Sequence, residues 1–162
     1  MAKAKEVKTN AMRILDRMHI SYTSRTYECA EFTDAQQIAD LLGLPHETMY
    51  KTLVTVSPDK NYFVFVLPID AEVDLKKAAR VASQKSLAMI HVKEINQVTG
   101  YIRGGCTAIG MKKNYPVFID QSAEPLQEIV VSGGRLGVQI SLSPDDLLRA
   151  SQGTYADFCV EP

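Results

Sequence analysis

The segment 100–113, GYIRGGCTAIGMKK, holds the residue types with the greatest capacity for chemistry in this chain. Its glycines lack a Cβ atom and so allow backbone N–H groups to approach a ligand oxygen closely. No Lys-Ser or Lys-Thr pair follows the last glycine, as a Walker loop requires, and no G-x-G-x-x-G opens a helix. The alternatives are a glycine turn between two strands, which composition alone favours, and a backbone-lined binding loop.

Cys106 lies within this segment and is a candidate nucleophile. A reactive thiolate needs a neighbouring base or cation that lowers the thiol pKa. None of the three histidines is close to Cys106 in the sequence. Free cysteines are among the most buried residues, so an inert, buried thiol is the favoured interpretation.

Lys51 is unusual because it interrupts the apolar run MYKTLVTV. Strand alternation places Met49, Lys51, Leu53 and Thr55 on one face. The lysine either covers apolar surface with its stem on a solvated face, or points into a cavity where its ammonium holds phosphate or ester oxygens. The sequence leaves both interpretations open.

The cysteines and histidines predict neither a disulfide framework nor a metal site. The three cysteines are widely spaced and form no C-x-x-C pair. The three histidines lack the spacing of metal ligands. We expect no metal and no cofactor.

Length and composition predict one globular domain spanning residues 1–162. The chain is 46% hydrophobic and 23% charged, which is ordinary for a globular domain. No apolar run approaches the roughly 20 residues that cross a bilayer, and the polar N-terminal segment is unlike a secretory signal. We therefore expect a cytosolic protein with no membrane partner.

A net charge of −1 provides no general attraction to nucleic acid. A polyanionic partner would have to contact local basic patches. Each basic cluster taken alone is more often simply a solvated face. The candidates flank the glycine segments or lie on a predicted helix: Lys76, Lys77, Arg80, Arg103, Lys112, Lys113 and Arg135.

Hydrophobic spacing and capping residues predict the secondary structure. Helices are expected at residues 5–18, 33–43, 74–83, 91–98 and 143–151, and strands at 21–28, 87–90 and 116–120. Thr33 is expected to cap the second helix, and Ser143 with Pro144 to start the last. The third helix is expected to bury Leu75, Ala78, Ala79 and Ala82. Two hairpins are expected, one at 49–69 with its turn at 57–61, and one at 128–142 with its turn near Gly133 and Gly134. Hairpins interspersed with helices favour a mixed α/β fold with a barrel-like sheet over a doubly wound parallel sheet.

Four motifs in series, YKTLV, VDLKKAAR, TGYIRGGCTAIGMKK and VSGGRLGVQISL, resemble those of the YbaK family of aminoacyl-tRNA editing domains. The resemblance covers nearly the whole chain and is strongest to Cys-tRNA(Pro) deacylases. It implies a mixed, barrel-like sheet surrounded by helices. It also implies hydrolytic removal of cysteine from mischarged tRNA(Pro), with prolyl-tRNA synthetase as a possible further partner.

The resemblance also implies roles for individual residues. Lys51 matches the family's central lysine, and Gly104 and Gly105 belong to its glycine loop; these three are the expected catalytic residues. The expected substrate-binding residues are Tyr27, Phe32, Thr107, Ala108, Ile109, Gly110 and Ser132. The expected tRNA contacts are Lys76, Lys77, Arg80, Lys112 and Lys113.

Two departures from the family pattern lie where they would affect substrate choice and rate. Thr107-Ala108 replaces the usual Ser-Pro pair, and Gln139 replaces an aspartate found in many relatives. The resemblance implies a substrate-assisted route, in which the substrate thiol attacks its own carbonyl and a protein nucleophile is not needed. The alternatives are editing of another substrate such as Ala-tRNA(Pro), water-mediated hydrolysis, or a non-catalytic module that binds the tRNA acceptor or the synthetase.

Overall fold

The computed structural model describes residues 8–29 and 33–161, which contain eight strands. In chain order they are β1 (Thr23–Thr26), β2 (Tyr50–Val56), β3 (Tyr62–Pro68), β4 (Ala88–Met89), β5 (Val117–Asp120), β6 (Ile129–Ser132), β7 (Val138–Leu142) and β8 (Thr154–Ala156).

The strands form two sheets. The smaller sheet is antiparallel and has the order β1-β7-β6, while the larger has the order β4-β2-β3-β5-β8. β2 pairs antiparallel with both β3 and β4, whereas β5 runs parallel to β3 and β8. One parallel bridge, Met49 to Val130, connects β2 with β6 and so joins the sheets. The prediction of a mixed α/β fold is confirmed, with the sheet divided in two.

Five α-helices lie within the described residues: α1 (Asn10–Arg17), α2 (Ala35–Leu42), α3 (Leu75–Val81), α4 (Ile95–Thr99) and α5 (Pro144–Ser151). Side-chain oxygens of Thr9, Asp34, Asp74 and Ser143 accept backbone N–H groups at the starts of α1, α2, α3 and α5. Gly43 ends α2 in the left-handed conformation. None of these helices is long and apolar enough to span a membrane.

Three apolar clusters hold the elements together. The largest lies between the two sheets and includes Val64, Ile119 and Ile140, all fully buried. The second packs α3 against the outer face of the larger sheet, where the rings of Phe65 and Phe158 meet edge to face at 4.8 Å. The third lies beneath α2.

The structure corrects four details of the sequence prediction. Thr9 caps α1, which therefore begins after the predicted start at residue 5, and residues 5–7 lie outside the described part. Asp34 caps α2 in place of Thr33. The helix predicted at 91–98 is a 3₁₀ turn, Val92–Glu94, followed by the short α4. β8 was not predicted.

Leu75 was predicted to be buried but is 36% exposed. It occupies the first position of α3. Helical side chains lean towards the N-terminus, so a side chain at this position points past the end of its own helix. Ala78 and Ala79, one turn later, are buried as predicted.

Candidate functional site

A cavity of about 470 Å³ lies beside a gap in strand pairing along β2. One edge of β2 meets β6 at Met49 and β4 at Thr55. Among the described residues, no strand pairs with this edge between those two points. A depression of about 580 Å³ between α1 and β1 is larger, but it contains none of the predicted site residues.

Because no described strand pairs with this part of β2, backbone N–H and C=O groups on this edge face the cavity. The Val54 carbonyl accepts the Ile90 N–H at 3.2 Å on this edge, whereas the Met49 carbonyl accepts the Ile69 N–H at 3.0 Å on the β3 side. Backbone direction alternates along a strand. The N–H and C=O of Thr52, two residues before Val54, therefore point to the cavity side, and Thr52 lines the cavity.

Lys51 lines the cavity and is half-buried. Its Nζ donates to the Ile69 carbonyl at 3.1 Å. Burial lowers the pKa of the Lys51 ammonium, opposed by the negative charges of Glu72 and Asp70. The structure therefore places the Lys51 side chain at the wall of the candidate binding cavity.

Gln36 at the start of α2 lines the same region. Its Nε2 donates to the Ile69 carbonyl at 2.8 Å, so it shares the acceptor used by Lys51. This contact joins α2 to the residue that follows β3. No sequence pattern indicates this role of Gln36, because the contact depends on how α2 packs.

The wall opposite β2 contains part of the first glycine loop. Gly104 lines the cavity with a φ of +86°, a conformation that glycine adopts readily. A Cβ atom on Gly105 would lie 2.8 Å from the Cα of Arg135. Gly105 therefore allows the loop to pack tightly on the second glycine turn, and Gly105 is buried there.

Two residues of the smaller sheet, Ser132 and Gln139, belong to the polar lining, together with Thr33 and Asp34 before α2. Gln139 is buried, and its Nε2 donates to the Tyr27 hydroxyl at 3.2 Å. Burial raises the pKa of Tyr27. Tyr27 therefore reaches the cavity lining through Gln139. Phe32 lies outside the described residues.

The remaining loop residues predicted to bind substrate lie behind the cavity wall and do not line it. Thr107, Ala108 and Ile109 are buried. The Ile109 carbonyl accepts the Tyr101 hydroxyl at 2.5 Å, and the Gly110 carbonyl accepts the Asn10 side chain at 3.1 Å. Their observed contacts anchor the loop to its surroundings.

Cys106 is the one cysteine among the described residues that line the cavity. Burial raises the pKa of its thiol to about 11. No histidine occurs among the described lining residues, so Cys106 has no imidazole base there. This environment favours the protonated, unreactive thiol.

The predicted tRNA contacts lie outside the cavity. Lys76 and Arg80 are exposed on α3, while Lys77 forms ion pairs with Glu161 at 3.1 Å and Asp157 at 3.6 Å. Lys112 and Lys113 are exposed after the glycine loop. Arg103, noted in the sequence as a basic candidate, lines the cavity itself. Among the described residues, no group of three histidine, cysteine or acidic side chains is placed to hold a metal ion.

Comparison with known proteins identifies the family. The aminoacyl-tRNA editing domain family matches residues 29–150. The chain belongs to this family. A protein of Enterococcus faecalis, provisionally named a Cys-tRNA(Pro)/Cys-tRNA(Cys) deacylase, EbsC, is 40% identical in an alignment of 161 positions, and the match covers 97% of each chain. The sequence prediction of an aminoacyl-tRNA editing enzyme is confirmed.

Solved structures of the same fold extend the comparison. One, provisionally described as a trans-editing enzyme for prolyl-tRNA synthetase, has a TM-score of 0.80 at 21% identity and covers 96% of this chain and 100% of its own. Another, a hypothetical protein called APE2540, has a TM-score of 0.82 at 19% identity, with 91% and 97% covered. At these identities the similarity establishes the fold of this editing domain.

Proposed function

We propose that this protein is a trans-editing hydrolase that removes cysteine from mischarged tRNA(Pro). The observation that carries the proposal is the make-up of the cavity. It combines a half-buried lysine and inward-facing backbone groups with a thiol held protonated by burial. Such a site suits a substrate that supplies its own nucleophile. The relative from Enterococcus faecalis, named for Cys-tRNA substrates, supports this choice of amino acid.

The target bond is the ester between the amino acid and the terminal ribose of the tRNA. Attack on its carbonyl carbon places negative charge on the carbonyl oxygen, so hydrogen-bond donors aimed at that oxygen accelerate the reaction. The Thr52 N–H and the Gly104 N–H are the proposed donors. Gly105 is proposed to hold the loop in place, since its own N–H donates to the Ile102 carbonyl at 2.9 Å. Lys51 is proposed to hold the ribose or the adjoining phosphate.

The proposed nucleophile is the thiol of the esterified cysteine. Its sulfur bonds to the carbonyl carbon, the ester C–O bond breaks, and the proton lost by the thiol goes to the departing ribose oxygen. The products are free tRNA and a cyclic thiolactone, which water then opens to cysteine. This route requires no activated nucleophile from the protein.

The body of the tRNA is proposed to contact the basic residues Lys76, Lys77, Arg80, Lys112 and Lys113, of which all but the half-buried Lys77 are exposed. Tyr27, Phe32, Ser132 and the loop residues Thr107 to Gly110 are proposed to shape the aminoacyl end of the site. Prolyl-tRNA synthetase is a proposed partner, and the cytoplasm, where tRNA is charged, is the proposed location.

A deacylation assay with Cys-tRNA(Pro), Ala-tRNA(Pro) and Pro-tRNA(Pro) tests the proposal. We expect rapid loss of cysteine and little loss of proline. An added thiol that attacks the carbonyl carbon of the thiolactone and so captures it distinguishes the substrate-assisted route from direct attack by water. Faster removal of alanine than of cysteine would contradict the assignment of the substrate.

A second candidate function is a non-catalytic module that binds the tRNA acceptor or the synthetase. Its basis is the loss of two family features, since Thr107-Ala108 replaces Ser-Pro and Gln139 replaces aspartate. Tight binding of all three aminoacyl-tRNAs without release of any amino acid would favour this function over the deacylase.

A further inference from the structure

The cavity has two chemically different ends, and the apolar end is open to solvent. Met89 and Val92 line it while remaining 41% and 54% exposed. Ile90 and Ile95 line it beside them and are half-buried. Exposed apolar side chains that gather at the mouth of a cavity mark a surface for a ligand.

The two ends are separated along β2. Lys51, near the start of the strand, shares the Ile69 carbonyl with Gln36. Val54, three residues later, binds the Ile90 N–H, and Met89 pairs with Thr55. A strand rises about 3.3 Å per residue, so the polar and apolar ends lie about 10 Å apart. A ligand that fills both ends must be longer than one small amino acid.

The volume of the cavity leads to the same requirement. At about 470 Å³ it falls within the roughly 300–1,000 Å³ typical of sites for drug-sized ligands. A cysteinyl group at Lys51 leaves the apolar end unfilled. The rest of the substrate, the terminal nucleoside, is the part of the molecule covalently joined to that group.

We propose that Met89 and Val92, with Ile90 and Ile95, form a subsite for the terminal adenine base of the aminoacyl-tRNA. This inference rests on the proposed function. A planar base packs its faces on apolar side chains while its polar edges remain in water, which suits an open apolar surface. Methionine adapts its shape to such a face. Arg103, on the same cavity lining, adds positive charge beside the path of the nucleotide phosphate.

Two non-hydrolysable compounds test the subsite by calorimetry. The first is cysteinyl adenosine in which an amide nitrogen replaces the ester oxygen, and the second carries hydrogen in place of adenine. We expect the wild-type protein to bind the first at least tenfold more tightly. The double variant Met89→Ser and Val92→Ser should lose most of that difference while its affinity for the base-free compound is retained.

Leu41→Ser is the matched control, because Leu41 is 67% exposed and does not line the cavity. This variant should retain the full preference for adenine. Circular dichroism and thermal unfolding verify that each variant is folded. With Cys-tRNA(Pro), the double variant should show a raised KM and a smaller change in kcat.

Three results would overturn the subsite, and they differ in whether the proposed function fails with it. Equal wild-type affinity for the two compounds, with Cys-tRNA(Pro) hydrolysed normally, would overturn the base subsite alone. Failure to bind either compound or to hydrolyse Cys-tRNA(Pro) would overturn both. Base-independent binding, together with loss of synthetase affinity in the double variant, would assign this apolar surface to a protein partner and overturn the subsite.

Discussion

Lys51 and Gln36 donate to the same atom, the carbonyl oxygen of Ile69, at 3.1 and 2.8 Å. One residue comes from β2 and the other from the first turn of α2. The shared acceptor fixes the lysine side chain and the helix relative to each other at the cavity. Because the Lys51 ammonium is also partly desolvated, a negatively charged or strongly polar ligand gains more from it than from a surface lysine.

Lys51→Ala should lower the rate of Cys-tRNA(Pro) deacylation at least tenfold. That change corresponds to about 1.4 kcal/mol of transition-state stabilisation. We expect this fall in rate because the substitution removes the one lysine among the described residues that line the cavity. Single-turnover deacylation measures the effect. Lys85→Ala, at an exposed position away from the cavity, serves as the control. Wild-type turnover by folded Lys51→Ala would remove this lysine from the site.

Cys106→Ser and Cys106→Ala should retain activity within a few-fold, because the proposed nucleophile belongs to the substrate. Burial raises the pKa of the Cys106 thiol to about 11. Alkylation of this residue, followed by mass spectrometry, should therefore be slow at neutral pH and accelerate as the pH approaches that value. A covalent adduct trapped at Cys106 during turnover, or inactivity of both folded variants, would favour a catalytic cysteine instead.

Local patterns predicted the elements of the fold more completely than their assembly. The hairpin of β2 and β3 was evident from its apolar strands and the intervening turn, and Ser143 with Pro144 marked the start of α5. These signals involve neighbours in the chain. β8 was missed because three residues, Thr154–Ala156, carry little pattern of their own and depend on parallel pairing with β5.

The cavity could be predicted only in part. Lys51 stood out because a charged residue interrupted an apolar strand. Gln36 and Thr52 gave no comparable signal, since their positions depend on the packing of α2 and on the gap beside β2. Pairing between Met49 and Val130 spans a large sequence separation, and a single sequence contains no local pattern that reports such contacts.

His46→Gln should weaken the fold more at acidic than at alkaline pH. The His46 ring contacts Asp40 at 2.7 Å and Asp70 at 2.9 Å. The hydrogen bonds to Asp40 and then Asp70 raise the pKa of His46 above its ordinary value of 6.5. A raised folded-state pKa means that protonated His46 contributes its full stabilisation below about 6.5. That contribution is lost as the pH rises through the folded-state value.

Urea unfolding of wild type and His46→Gln across this pH range measures the difference in unfolding free energy. The difference should shrink as the pH rises. His91→Gln, at an exposed histidine, is the control for changes in the titration of other groups. A difference that grows with pH would show that neutral His46 makes the stronger contacts.

The last prediction concerns how a chain of net charge −1 holds a polyanion. Lys112→Ala combined with Lys113→Ala should raise the Kd for Cys-tRNA(Pro) and leave the single-turnover rate at saturation nearly unchanged. Both lysines are exposed just beyond the glycine loop. Each phosphate contact releases nearly one counterion, so the slope of log Kd against log salt concentration should fall by about one to two. The control is Lys60→Gly with Lys85→Ala, in which glycine preserves the left-handed backbone at Lys60. An unchanged slope in the Lys112 and Lys113 variant, equal to that of the control, would show that this pair is a solvated surface.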